Sequence, residues 1–221
     1  MSPVTPSRQD ISEAVGAAGW RLVLGALYAE VATTSLAQGT EVAGLVATAA
    51  GVDGRLGVDI RADRVVLRVQ SAATGAVSGV EIALATTLAS TLTQHGWRLR
   101  PGTVQAIEIA IDALDIGAVR PFWKAITGYV DEPGPSDLSD GLIDPAGRGP
   151  AIWFQQMDAP RPQRNRIHLD LDVAHDAAPD RLAAALAAGG RLLSDAAAPA
   201  YWVLADPEGN EVCICTWQGR D

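Results

Sequence analysis

The stretches Ala106-Ile107-Glu108-Ile109-Ala110-Ile111-Asp112 and Ile167-His168-Leu169-Asp170-Leu171-Asp172-Val173 both alternate at a period of two, as a strand with one buried face must. They begin about 60 residues apart, and the elements downstream of each are also repeated. Ile116 to Thr127 reads as a helix with Asp115 as N-cap and Gly128 as its stop; Pro179 to Ala188, ending at Gly189, is its counterpart. An Asp-Pro-x-Gly turn then appears in both copies, as Asp144-Pro-Ala-Gly147 and Asp206-Pro-Glu-Gly209. The turns precede Ala151-Ile-Trp-Phe-Gln-Gln156 and Glu211-Val-Cys-Ile-Cys-Thr-Trp217, both strand-like. The unit is therefore β-α-β-β-β, written twice.

Upstream of this repeat the pattern changes. Ser7 to Gly19 reads as a helix with Ser7 and Asp10 spaced as a capping box, and Trp20 to Thr34 as a strand pair or one bent strand. Ser35 to Ala50 returns to helix, Val58–Ile60 and Val65–Val69 are strands around a turn, and Ser78 with Glu81 opens a last helix that runs to Gly96. The order is α-β-β-α-β-β-α. Arg98-Leu-Arg-Pro-Gly-Thr103 combines charge, proline and glycine between the two periodic regions, which places a boundary there and gives domains over residues 7–97 and 104–218 of an α+β protein.

Composition narrows the function. The 221 residues carry 17 basic and 26 acidic side chains, a net charge of −9, so no basic stripe exists to neutralise nucleic acid or an anionic membrane. No apolar run is long enough to span a bilayer, and the first ten residues carry no secretory leader pattern. Cys213 and Cys215, two apart on one strand, are poorly placed for a disulfide, and the expectation is a cytoplasmic protein. The remaining partner class is a small-molecule ligand, and association into a homo-oligomer is compatible with the reading.

With Phe122-Trp123 on its first helix, Gly128-Tyr129 at that helix's end and Asp206-Pro-Glu-Gly-Asn210 before its last strand, the duplicated unit resembles the glyoxalase and bleomycin-resistance group, the vicinal oxygen chelate superfamily. The likeness runs from about Val104 to Trp217, and Trp153-Phe-Gln-Gln with Arg164-Asn-Arg-Ile-His-Leu-Asp170 is similar to glyoxalase-like proteins common in actinobacteria. The N-terminal half resembles pterin-4a-carbinolamine dehydratase over about Ile11 to Gly96. That family's site implies a His-His-Pro segment and a third histidine; here Gly54, Arg55 and Leu56 stand at the first and Ala72 at the second, with Glu81 where the family has Asp. None of Gly, Ala or a permanently charged Arg can carry the proton that carbinolamine dehydration needs.

In the chelate superfamily, the resemblance implies a metal ligand (His, Gln or Glu) on the first strand of each unit, and usually a Glu on the last. Parity locates the candidates. If Ile107, Ile109 and Ile111, and Leu169, Leu171 and Val173, pack on helices, then Glu108, Ala110 and Asp112, and His168, Asp170 and Asp172, face the concave side. Counting back seven from Asp115 also reaches Glu108, which makes Glu108 and His168 equivalent positions and candidates for metal ligands, with Cys213 as a third donor to zinc, or for an acid/base pair. The last-strand position, three after Asn210, is Cys213 rather than Glu, so the ligand set is broken. The expectation is a metal-independent site without a cofactor, in which Trp153, Gln155, Asp170 and Cys213 contact substrate beside Glu108 and His168.

Trp123, Trp153, Phe154, Trp202 and Trp217 are candidates for a flat cavity wall, against the simpler reading of Phe122 and Trp123 as core of an amphipathic helix. Asp170 and Asp172 read as solvated or paired with Arg164 or Arg166; His95, His175 and Arg55 read as surface residues. The favoured function is a glyoxalase-like protein that binds, or also transforms, a small organic metabolite beside a catalytically degenerate dehydratase-like domain. The alternatives are a 4a-hydroxytetrahydrobiopterin dehydratase, which would make the protein a lyase, and a non-enzymatic binding or scaffold module.

Overall fold

The computed structural model describes residues 6–134, 141–161, 163 and 167–220. The chain divides into two compact units, residues 1–106 and 107–221.

In the first unit, α1 (Arg8–Gly16) starts at a complete capping box, in which Ser7 accepts from the Asp10 amide and Asp10 accepts from the Ser7 amide. β1 (Arg21–Val23) and β2 (Ala26–Ala32) form a hairpin, so the long strand-like stretch after Trp20 is a strand pair. α2 (Leu36–Ala47) is capped by Ser35, and β3 (Leu56–Ile60) and β4 (Arg64–Val69) follow as a second hairpin. α3 (Gly79–Gln94) starts at the Ser78–Glu81 capping box. The antiparallel sheet runs β1-β2-β4-β3. Trp20, Leu27, Val31, Val65, Leu67, Val69, Leu84, Leu88 and Leu92 pack between sheet and helices. Trp20 is fully buried, and its indole Nε1 donates to the Ala85 carbonyl at 3.0 Å, so its one polar group is satisfied. One difference from the sequence reading concerns the boundary stretch. Leu99 and Arg100 form a short strand, β5 (Leu99–Arg100), that pairs antiparallel with Val31 and Glu30 of β2. Two residues are too few to show any periodicity, so the strand is invisible in the pattern.

The second unit contains the repeat. Its first copy is β6 (Glu108–Ala113), α4 (Ile116–Thr127), β7 (Val130–Asp131), β8 (Leu142–Ile143) and β9 (Ala151–Gln156), in sheet order β6-β9-β8-β7. The second is β10 (Leu169–Asp172), α5 (Ala178–Ala187), β11 (Arg191–Ser194), β12 (Tyr201–Ala205) and β13 (Glu211–Cys215), in the matching order β10-β13-β12-β11. In each copy the first strand runs parallel to the last. α4 is capped by Asp115, whose side chain accepts from the Ala118 amide, and ends at Gly128 with φ 72°, a left-handed position that glycine takes without a Cβ clash.

The two copies are joined through α4. Trp123 Nε1 donates to Asp206 Oδ2 at 3.0 Å, Glu208 accepts from the Leu114 and Asp115 amides, and Arg181 donates to the Ile126 carbonyl. A Cβ at Gly190 would fall 2.4 Å from the ring of fully buried Phe122, so only glycine allows this approach. Phe122, Trp123, Ile126, Ile152, Leu204, Val212 and Ile214 form one core. Phe122 and Trp123 are thus core residues, as the amphipathic helix implies.

Candidate functional site

The register shows which side chains share a face. In β6 and β9, Ile109 pairs with Ile152 and Ile111 with Phe154, all packed in the core, whereas Glu108, Trp153 and Gln155 are exposed. In β10 and β13, Leu169 pairs with Val212 and Leu171 with Ile214 on the core side, so Asp170 and its partner Cys213 face away from the helix. The parity reading therefore holds, with one correction: Ile107 precedes β6 and is 65% exposed, so it does not pack on a helix.

The equivalence of Glu108 with His168 also needs correcting. Glu108 pairs with Ala151, four residues after Gly147, and Asp170 pairs with Cys213, four residues after Gly209. Asp170 also lies seven residues before Ala177, the N-cap of α5, as Glu108 lies seven before Asp115. The structural counterpart of Glu108 is thus Asp170. α5 starts without a side-chain cap, so the second copy has no marked N-cap from which the same count could be made.

Three of the predicted residues converge. His168 Nδ1 lies 3.1 Å from Asp170 Oδ1 and 3.9 Å from Cys213 Sγ, and one donor atom from each residue lies within 4.8 Å of the other two. The His168 and Asp170 side chains are 55% and 54% exposed, whereas Cys213 is buried. Burial, with the Asp170 carboxylate accepting from the thiol and repelling a thiolate, pushes Cys213 up to about 11. Cys213 is therefore a protonated thiol near neutral pH and not a ready nucleophile. Both neighbours approach the same imidazole nitrogen, so the three residues converge on a point; a Cys-His-Asp relay would need one partner on each ring nitrogen. Cys215, also buried, is raised by burial and by Asp170 and Asp172.

Glu108 is not a member of this cluster, and among the described residues no hydrogen bond or ion pair joins it to His168. The aromatic wall does not form as a unit either. Trp123 and Phe154 are buried and Trp202 packs on the core, whereas Trp217 is 64% exposed with its Nε1 donating to His175 Nδ1 at 3.2 Å. Of the proposed wall, only Trp153, 40% exposed, lies beside Gln155 on the face opposite the core. Arg164 and Arg166, expected partners of Asp170 and Asp172, lie outside the described residues. A cavity of about 180 Å³ in this unit sits between the end of β6 and the Asp206 turn, lined by Asp112, Arg161, Glu208 and Asn210, and includes none of the predicted site residues.

In the first unit the sequence reading missed an interaction. Arg55, read as a solvated loop residue, donates from Nε to Glu81 Oε1 at 2.9 Å, and Glu81 is almost fully buried. The Ala72 amide donates to Gly54 at 2.8 Å and the Gln70 amide to Arg55 at 3.0 Å, so Gly54, Arg55, Ala72 and Glu81 do gather at one place. The Ser78–Glu81 spacing announces the cap, but nothing in the sequence announces the arginine 26 residues upstream.

Residues 108–215 match the model of a family described as a glyoxalase-like domain. No curated protein matches the chain. Among solved structures, a hypothetical protein from S. aureus is 13% identical, over 52% of this chain and 95% of its own, with a TM-score of 0.42. A glyoxalase/bleomycin resistance protein/dioxygenase family enzyme from Burkholderia phytofirmans is 22% identical, over 49% and 95%, with a TM-score of 0.40. A fosfomycin resistance protein from Listeria monocytogenes is 11% identical, over 52% and 93%, with a TM-score of 0.40.

The resemblance to the chelate superfamily implies a metal held by ligands from both repeats. A set drawn from both repeats in equivalent positions needs a donor on β9 where Cys213 stands on β13, but Ala151 occupies that position. The two-repeat ligand set does not fit.

Proposed function

We propose that the glyoxalase-like domain at residues 108–215 binds a small organic molecule on the helix-averted faces of its two sheets. The observation that carries this is the separation of faces: Ile109, Ile111, Ile152 and Phe154 are committed to the core, while Glu108, Trp153 and Gln155 are exposed on the other side. An open β-sheet face with one aromatic surface and a few carboxylate, amide and imidazole groups suits a flat polar ligand. In this reading Trp153 stacks on the ligand, Gln155 and Asp170 hydrogen-bond it, Cys213 closes the floor, and Glu108 and His168 are the groups able to exchange protons with it.

The first unit is proposed to be dehydratase-like in descent and inactive in that reaction. Its element order supports this, as do the gathering of Gly54, Arg55, Ala72 and Glu81 and the Arg55–Glu81 ion pair there, neither of whose members is a histidine. The one histidine in this unit, His95, is exposed at the end of α3.

A thermal-shift screen of pterins and small aromatic metabolites, with stopped-flow dehydration of a carbinolamine on the same protein, tests both halves. A ligand at 100 times its Kd stabilises by about 2.7 kcal/mol, and the shift is expected to vanish in Trp153→Ala. Carbinolamine dehydration is expected at the uncatalysed rate. A panel without a single shift, or binding that survives Trp153→Ala and Glu108→Gln, overturns the first half; dehydration at an enzymatic rate overturns the second.

A further inference from the structure

We propose that the second repeat alone forms a zinc-class metal site from His168, Asp170 and Cys213, in place of the ligand set shared between two repeats. The parallel register of β10 on β13 sets Asp170 directly beside Cys213, and His168, two residues before Asp170, lies on the same face. Zinc bonds of about 2.0–2.3 Å at tetrahedral angles require ligand atoms roughly 3.3–3.7 Å apart. The observed 3.1 Å between His168 and Asp170 and 3.9 Å between His168 and Cys213 bracket that range, and the three donor atoms all lie within 4.8 Å of one another.

Donor chemistry sets the preference. One imidazole nitrogen, one carboxylate oxygen and one sulfur form a borderline set that favours zinc or cobalt over magnesium, calcium or manganese, which want oxygen. Half-exposed His168 and Asp170 over a buried sulfur leave the outward coordination position to water or to a ligand, as in sites with three protein donors. On binding, the Cys213 thiol passes its proton to solvent and coordinates as thiolate, with no change of oxidation state. The first repeat contributes nothing: Ala151 replaces the sulfur and Ala106 stands where His168 does, two residues ahead of Glu108. An ion held by His168, Asp170 and Cys213 would take these three out of direct contact with the organic ligand and leave Glu108, Trp153 and Gln155 to it; metal uptake is measured without any organic ligand, so it stands or falls separately from the small-molecule reading.

The test is equilibrium dialysis of the metal-free full chain against zinc, with cobalt(II) absorption spectroscopy in parallel. We expect about one ion per chain and a thiolate-to-cobalt charge-transfer band. Cys213→Ser should abolish the band and weaken zinc binding about 100-fold, and His168→Ala should weaken zinc binding as far, whereas Cys215→Ser and Glu108→Gln leave both readouts unchanged. Circular dichroism of each variant separates lost ligation from lost folding; should Cys213→Ser fail to fold, Asp170→Asn replaces it. Absence of stoichiometric uptake overturns the proposal, as does cobalt bound without the band, or loss of binding in Glu108→Gln.

Discussion

Glu81 shows how much one side chain can hold. Its carboxylate accepts from the Ser78 amide at 2.8 Å, from Ser78 Oγ at 2.6 Å and from Arg55 Nε at 2.9 Å, so it caps α3 and fixes the loop before β3 at once. Burial pushes this carboxyl up, but the hydrogen bonds from Ser78 and Arg55 outweigh it and leave it below its ordinary 4.5. A depressed carboxyl stabilises the fold fully above its unfolded value and loses that contribution as pH falls through the folded one. Glu81→Gln keeps a capping side chain but removes the charge, and is expected to cost about 1–3 kcal/mol at pH 7. Urea unfolding at a series of pH values should show that gap closing below about pH 4.5; a gap independent of pH would mean that the charge does not stabilise this unit.

At the scale of elements, the repeat depends on close approaches as much as on periodicity. Gly190 lets the chain entering β11 lie against Phe122 of α4, where an added Cβ would also meet the Ala185 carbonyl at 2.8 Å. Gly190→Ala is expected to destabilise the second unit by about 2 kcal/mol through overpacking, seen as a lowered Tm, while Gly134→Ala, whose Cβ meets nothing within 4 Å among the described residues, serves as the neutral control. The helices, their caps and the doubled β-α-β-β-β order were legible because each has a local signal: Ser7, Ser78 and Asp115 as caps, Gly128 as a stop, alternation in β6 and β10. Alternation also put His168 and Asp170 on one face, and the resemblance to the chelate superfamily pointed to Cys213. Alternation could not bring them together, because a period of two fixes the face of a strand and leaves its register free. The register of β10 on β13 joins residues 43 apart, and the Arg55–Glu81 pair depends on the path of a loop; neither leaves a local trace.

For the whole molecule, the division at Ala106 bears on where the chain is best cut. A fragment of residues 1–106 retains β5 on β2, whereas one ending at Trp97 leaves Val31 and Glu30 without their edge partner. We expect 1–106 to unfold cooperatively and 1–97 to melt at a lower temperature, both followed by circular dichroism; equal melting temperatures would show that β5 contributes nothing. Against this, the two repeats of the second unit are not interchangeable parts. Asp144 gathers the amides of its own loop at Ala146, Arg148 and Gly149, while its counterpart Asp206 also holds the indole of Trp123 in the other repeat. The two copies have divided their labour, so that replacing the second with a further copy of the first would spell out the same secondary structure and keep an aspartate at that turn, yet put Ala146 where Glu208 stands and lose the acceptor of the Leu114 and Asp115 amides.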